Sequence, residues 1–311
     1  MTRVVAPSRL HFGLFHVPAG DRPAGGRAFG GVGLMIDAPG VVVAAKPADS
    51  WQFEGMLASR AQQFAMQFTA SLPEPERRAY QVLVERCPAE HTGLGVGTQL
   101  GIAVAKALAA AGGGPELSAP QLAARVGRGE RSAVGVHGFD RGGLVAEGGK
   151  AAGERVSPLT EHVALPGSWR VVLLTPHGSG EWHGDRERAA LAAAGAGHAD
   201  ALRRIAETAI LPAARAGDIA TFGDAIHEFN RRAGEPFVAA QGGSYASAAV
   251  AELIADVRAS GVRGVGQSSW GPTVFAIVED PDTAMSLVLR FGTRVPVTVA
   301  RVSRGHTVST E

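Results

Sequence analysis

Cysteine is nearly absent from this 311-residue chain, occurring only as Cys87, so no internal disulfide can form and no cysteine cluster can hold a metal. That usage fits a reducing compartment, and Cys87, next to Pro88, reads as a small apolar residue rather than a nucleophile. Excess charge is absent too. Thirty Lys+Arg against 29 Asp+Glu leave a formal net charge of +1. This removes the reason to expect a broad nucleic-acid surface, while leaving room for a local basic cluster around a small phosphorylated ligand. Lysine is confined to Lys46, Lys106 and Lys150. No uncharged apolar run approaches the roughly 20 residues that a membrane-spanning helix needs, and the N-terminus, with Arg3, Pro7, Arg9 and His11, has no apolar signal core. A cytoplasmic protein with small-molecule partners, and with neither nucleic acid nor membrane among them, is the expectation. The proportions of 45% hydrophobic and 19% charged residues are those of a globular chain, and the length predicts two domains.

Glycine, by contrast, is plentiful, and its most pointed use is in HTGLGVGTQLGIAVAKALAAAG, residues 91–112. Gly93, Gly95 and Gly97 let the backbone curl, and Leu100, Val104, Ala107 and Leu108 then follow helical spacing. Such a loop presents free N–H groups and the positive end of a helix dipole, which suits phosphate. The same pattern also fits an empty strand-to-helix turn. It lacks the Lys-Ser/Thr of a Walker loop and the spacing of a dinucleotide fingerprint.

The remaining chain reads as mixed α/β. Residues 3–6 and a second run carrying Leu10, Phe12 and Leu14 are expected strands on either side of Pro7, with Arg9 and His11 on the polar face. His11 fits a structural histidine or a substrate contact equally well. After a polar segment at 18–27 comes the run 29–37, whose Gly30, Gly31 and Gly33 suggest a bulge or close approach of backbone to ligand, and then a strand at 41–45. A helix over 57–68, a strand around Tyr80, Val82 and Val84, and a helix opened by a Ser118/Gln121 capping box complete the first half.

The stretch 127–143 places Arg125, Arg128 and Arg131 three apart among glycines, so that guanidinium forks could converge on phosphate or carboxylate oxygens, or form a solvated basic loop. Glu130 and Asp140 could each donate an oxygen to a magnesium ion bound to a diphosphate, or be surface charges. Residues 148–167 read as a linker and 169–175 as a buried strand. His177, Glu181, His183 and Asp185 lack the spacing of a dedicated transition-metal site. Helices follow over 185–209, over 218–232 with Asp218 as cap, and over 246–260. Residues 261–273 form a second glycine-rich turn holding Gln267, Ser268, Ser269 and Trp270, followed by a strand at 274–278, a helix capped by Asp282 and a last strand at 296–302.

Taken together, PSRLHFG at 7–13, HTGLGVGTQLG at 91–101 and GVGQSSWGPT at 264–273 resemble the three motifs of the GHMP kinase superfamily. Val96, Gly97, Thr98 and Gln99 stand where the kinases carry serines. FGGVGL, GRGERSAVGV and QGG extend the likeness to one branch, the β-ribofuranosylaminobenzene 5′-phosphate synthases of methanopterin biosynthesis. The resemblance implies an α+β, two-domain GHMP-kinase-like fold: a ribosomal S5 domain 2-like domain over 1–160 and a ferredoxin-like domain over 161–311. It also implies a homodimeric transferase that joins phosphoribosyl diphosphate to 4-aminobenzoate or 4-hydroxybenzoate, using Mg2+ and releasing CO2 and diphosphate. On that basis Gly93, Leu94, Gly95, Val96, Gly97, Thr98 and Gln99, with Arg9, Arg128 and Arg131, are expected to hold the leaving diphosphate. Magnesium would sit on Glu130 or Asp140. His11, Gln267, Ser268, Ser269 and Trp270 are expected at the benzoate or ribose phosphate, with Trp270 stacking or merely packing. An ATP-dependent kinase and a non-catalytic phosphate-binding regulator are the alternatives.

Overall fold

The computed structural model describes residues 1–16, 26–176, 184–193 and 199–310. His177, Glu181, His183 and most of the polar segment at 18–27 lie outside that set. In chain order the elements are β1 Thr2–His16, β2 Phe29–Ala48, β3 Gln52–Gly55, α1 Ala58–Ala70, β4 Ala79–Arg86, α2 Val96–Ala111, α3 Ala119–Arg125, α4 Val134–Arg141, β5 Leu144–Glu147, β6 Leu159–Val163 and β7 Arg170–Leu174. There follow α5 Gly184–Ala193, α6 Ala199–Ile205, a π-helical turn Ala206–Ile210, α7 Leu211–Ala216, α8 Ile219–Gly234, α9 Val238–Gln241, α10 Ala248–Ala259, β8 Gly264–Gln267, β9 Val274–Val278, α11 Pro281–Phe291, β10 Val297–Arg301 and β11 Thr307–Thr310.

Two sheets organise the molecule. The first runs β11-β1-β2-β4-β3, with β5 bridging β2 and β6; the second runs β10-β7-β9-β8. Where two strands were expected on either side of Pro7, β1 is continuous, and Pro7 falls at a break in register between Ala6 and Ser8, a position where the ladder needs no N–H from it. Likewise the runs 29–37 and 41–45 belong to one strand, β2. The expected linker contains β6, which pairs with β5. Residue 160 lies inside β6, and β11 returns to pair with β1. Helix α4 forms within the stretch expected as an arginine loop, and the cap of α11 is Asp280, whose side chain accepts from Thr283 N, rather than Asp282.

Alternation explains how the second sheet is enclosed on both faces. In β7, Val171 and Leu173 join the large core shared with the first sheet, while Val172 and Leu174 join a separate core against α10 and α11. The partner strand β9 divides in the same way, Phe275 and Ile277 to one side and Val274, Ala276 and Val278 to the other. Uninterrupted apolar runs such as RVVLL and VFAIV are what a strand covered on two faces requires. Over the shared core lies α8, presenting Phe222, Ile226 and Phe229, with Asp218 accepting from Ala220 N and Thr221 N at its start.

The glycines of β2 are sites of close backbone approach, as their spacing suggested, but the neighbours are protein. A Cβ on Gly33 would stand 2.3 Å from Leu10 O and 2.7 Å from a Val134 methyl, and one on Gly31 would stand 3.1 Å from the His11 ring. Glycine here lets α4 lie directly on the sheet. Gly33→Ala is expected to cost about 2 kcal/mol or more through overpacking, seen as a lower urea midpoint with unchanged slope. An unchanged midpoint would show that α4 is not seated there.

Candidate active site

The cleft is built around the N-terminus of α2. Gly95 occupies the cap position with φ 71°, and no side chain caps the helix; Thr98 N turns back to Gly95 O at 3.1 Å, which leaves the N–H groups of Val96 and Gly97 with neither an intrahelical partner nor a capping oxygen among the described residues. A side chain at Gly95 would be strained by that φ and would press on Arg9, 3.2 Å away. The loop is tied down from two directions: Arg9 N donates to Leu94 O at 2.9 Å, and Ser268 Oγ donates to Gly93 O at 2.7 Å. Ser268 Oγ also accepts from His11 N at 3.1 Å, and Ser269 N donates to His11 O at 2.9 Å. The three glycine-bearing motifs thus meet along β1.

The resulting cleft has a volume of about 720 Å3. Its lining includes the backbone from His91 to Thr98, the side chains of Arg9, Arg60, Arg128, Arg131, Glu90 and Glu130, and Leu191, Ser269 and Trp270. A smaller recess of about 180 Å3 continues from it, adding His11, Leu14 and Ser132. Four arginines face two carboxylates, and one of those carboxylates is already engaged, since Glu90 pairs with Arg60 at 2.8 Å. Arg128 is largely buried; burial first, then the charges of Arg60 and Arg131, lower its pKa from the ordinary arginine value. Its Nη2 reaches Thr98 Oγ1 at 3.4 Å, while its buried Nε has no hydrogen-bond partner among the described residues. Crowded guanidinium groups and an orphan buried donor beside an open helix N-terminus are the electrostatics of an anion site. Trp270 supplies the apolar counterpart: it packs edge-on to Phe237 at 4.6 Å and joins a small cluster with Leu14 and Leu191.

Most of the expected site residues converge here, among them Arg9, Arg128, Arg131, Glu130, Gly93 to Thr98, Ser269 and Trp270 in the cleft and His11 in its recess. Gln99 does not line it; it is fully buried, donating Nε2 to Gly135 O at 2.8 Å and so joining α2 to α4. Ser268 is also fully buried, and serves the loop rather than the cleft. Gln267 holds its own turn, accepting from Ala246 N and donating to Ser269 O, and borders a third small cavity. Asp140 lies elsewhere, accepting from Ala119 N at 2.8 Å at the start of α3 and facing His306 at 3.5 Å. Arg125 stacks over Phe68. Cys87 is buried, and burial followed by the charge of Glu90 pushes its thiol up to about 11, which leaves it protonated and inert at neutral pH.

Sequence reading missed Arg60, Glu90, Ser132 and Glu147. Arg60 stands in the first turn of α1, where a helix pattern showed only its aromatic core face. Glu147 ends a four-residue strand, LVAE, too short to register by periodicity. A lone acidic residue closing an apolar run was the available signal.

Gly97 measures the cleft's dependence on its arginines. A Cβ there would meet Arg60 Nη2 at 3.1 Å and Arg128 Nη2 at 3.2 Å, both flexible side-chain ends, so Gly97→Ala is expected to fold normally while displacing the cations. Calorimetric titration with inorganic pyrophosphate should show binding weakened about tenfold, equivalent to ~1.4 kcal/mol. Undiminished affinity in the folded variant would remove these arginines from the anion site.

Comparison with known proteins agrees with this architecture. Residues 210–295 match the family described as GHMP kinases C terminal. Among solved structures, homoserine kinase from Cytophaga hutchinsonii superposes with a TM-score of 0.67 at 13% identity, covering 99% of this chain and 97% of that one. Mevalonate pyrophosphate decarboxylase from Streptococcus pyogenes gives 0.66 at 11% identity, covering 98% and 97%. At such identities the likeness shows the fold alone, the α+β GHMP-kinase-like fold implied by the three motifs. Sequence relatives are more specific. The β-ribofuranosylphenol 5′-phosphate synthase of Archaeoglobus fulgidus is 30% identical over 294 residues, 90% of this chain and 88% of the relative. The protein of the same name from Methanothermobacter thermautotrophicus is 27% identical over 299 residues, 88% of each chain. With a GHMP-like scaffold and near-full-length similarity of this degree, the chain belongs to the β-ribofuranosylphenol 5′-phosphate synthase family.

Proposed function

We propose that the protein is a decarboxylating phosphoribosyltransferase. It joins phosphoribosyl diphosphate to a para-substituted benzoate, 4-hydroxybenzoate or 4-aminobenzoate, and releases CO2 and diphosphate in methanopterin biosynthesis. The observation that carries this reading is the pairing, within one cleft, of four arginines at an open helix N-terminus with an apolar wall of Trp270, Leu14 and Leu191. A polyanionic donor and a flat aromatic acceptor need both halves side by side.

In this reaction negative charge grows on the departing diphosphate as the bond to ribose C1 breaks. The Gly93 to Thr98 loop and Arg128 meet that charge with donors already in place, so little reorganisation accompanies the step. The acceptor attacks through the ring carbon bearing its carboxylate, and loss of CO2 returns the electron pair that restores the ring. Holding ring and ribose face to face is the main demand, which Trp270 and Leu14 meet by confining the ring. Magnesium fits the donor set through Glu130, the carboxylate that lines both the cleft and its recess, in the manner of a cation held by one protein oxygen together with substrate phosphates. When bound it would neutralise charge on the diphosphate. Asp140, engaged at the start of α3, borders neither the cleft nor its recess. None of Lys46, Lys106 and Lys150 borders the cleft, which weighs against the kinase alternative.

The purified protein with Mg2+, phosphoribosyl diphosphate and 4-hydroxybenzoate or 4-aminobenzoate should release CO2 and diphosphate in equal amounts, without ATP consumption. Chelation of the metal should abolish both products, and restored Mg2+ should recover them. ATP-dependent phosphorylation of a small alcohol would favour the kinase instead. Ligand binding with no turnover would favour a regulator.

A further inference from the structure

Glu147 is the one acidic residue that is buried among the described residues, fully enclosed at the end of β5. A buried carboxylate is costly unless hydrogen bonds repay it; those of Glu147 all fall on Oε1 and run toward the cleft, while Oε2 has no partner among the described residues. Oε1 accepts from Ala133 N at 2.8 Å and lies 2.6 Å from Ser132 Oγ, which in turn lies 3.0 Å from His11 Nε2. Both His11 and Ser132 border the recess behind the arginines.

The proton positions along this chain follow from counting donors. Oε1 already receives the Ala133 N–H, so it acts as an acceptor and the Ser132 hydrogen points to it. Ser132 Oγ, which also accepts from Val134 N at 3.3 Å, is left with one lone pair for His11, and Nε2 supplies the hydrogen. Burial, reinforced by the neighbouring Arg9 charge, holds the His11 pKa well below the ordinary histidine value, so the ring is neutral and carries one N–H. With that hydrogen at Nε2, Nδ1 presents a lone pair, and it has no hydrogen-bond partner among the described residues. The order carboxylate, hydroxyl, imidazole sets a tautomer as a carboxylate sets that of a catalytic histidine in hydrolases.

We propose that His11 Nδ1 is the proton acceptor of this site, and that Ser132 and Glu147 are positioning residues that hold the imidazole in its Nε2–H form. This inference rests on the synthase reading. As the ring carbon bonds to ribose C1 and the C1–O bond to diphosphate breaks, the hydrogen on the acceptor's para oxygen or nitrogen passes to Nδ1. The ring becomes a neutral dienone or its imine. The bond to the carboxylate carbon then breaks, CO2 departs, the electron pair restores the aromatic ring, and the proton returns from Nδ1 to the para atom. No further reactant is needed. A weak base suffices, because the para group becomes strongly acidic as positive charge develops on the ring.

Two measurements on the full chain test this. Two-bond 1H–15N spectra of histidine-labelled protein should show His11 as the Nε2–H tautomer, and Ser132→Ala should shift it toward Nδ1–H or a mixture. With 4-hydroxybenzoate, His11→Gln should lower kcat about 100-fold, the lower end for acid–base groups, without changing KM for phosphoribosyl diphosphate. A ring-fluorinated 4-hydroxybenzoate, with a more acidic phenol, should recover part of that loss. Ser132→Ala should show a smaller loss of the same kind, with near-ultraviolet dichroism matching the unsubstituted protein. An Nδ1–H tautomer in the unsubstituted protein, or full kcat in a folded His11→Gln variant, overturns the proposal. Absence of product from the unsubstituted protein overturns the synthase reading and the base role with it, whereas the spectrum decides the tautomer on its own.

Discussion

One hydroxyl group sits where three remote parts of the chain meet. Ser268 Oγ donates to Gly93 O and accepts from His11 N, and it is wholly buried while doing so. Asn230 repeats the idea a short way along β1, donating to Phe12 O at 2.6 Å and Gln267 O at 2.8 Å and accepting from Gln267 N at 2.8 Å. Through these two residues the phosphate-type loop, the central strand and the C-terminal turn share hydrogen bonds that none could complete alone. The loop has no side-chain cap of its own, so its shape depends on them. Buried polar groups satisfied in this way specify one arrangement, because each alternative leaves an unpaired donor or acceptor in a dry interior.

The rigid cradle explains why so many cations can be brought together. Arg60, Arg128 and Arg131 lie close enough for each of the outer two to lower the pKa of the middle one, a repulsion that the charges of Glu130 and Glu90 offset in part. An incoming polyanion relieves the remainder. The site is in that sense prepared for charge that arrives with the ligand and grows on the leaving group. The apolar side of the cleft, Trp270 with Leu14 and Leu191, lies beside these charges.

Much of this was legible in the sequence, and the exceptions follow a pattern. The helix after the glycine loop, the Ser118/Gln121 capping box and the Asp218 cap depend on neighbours within four residues, and all stand where local rules put them. The long strands did not read as single elements, because Pro7 interrupts β1 by a shift in register that only the pairing with β2 reveals. Gln99 and Ser268 carried the right chemistry for a substrate contact, but each turns inward to a backbone carbonyl contributed by a distant segment, Gly135 O and Gly93 O. Asp140 is near Glu130 in sequence, yet α4 carries it away to the start of α3. Glu147 escaped notice for the opposite reason, since the groups that give it meaning, Ser132 and His11, are 15 and 136 positions away in a chain that offers no local sign of their meeting.

The central claim is that the opened start of α2 and its arginines hold a diphosphate beside an apolar acceptor wall. A crystal structure of the protein with phosphoribosyl diphosphate and Mg2+ tests it most directly. The account predicts the diphosphate against the N–H groups of the Gly93 to Thr98 loop, within hydrogen-bond distance of Arg128, and with ribose C1 turned toward Trp270. A diphosphate bound away from that loop, for instance in the separate cleft bordered by Arg141, Arg301 and Arg304, would contradict it.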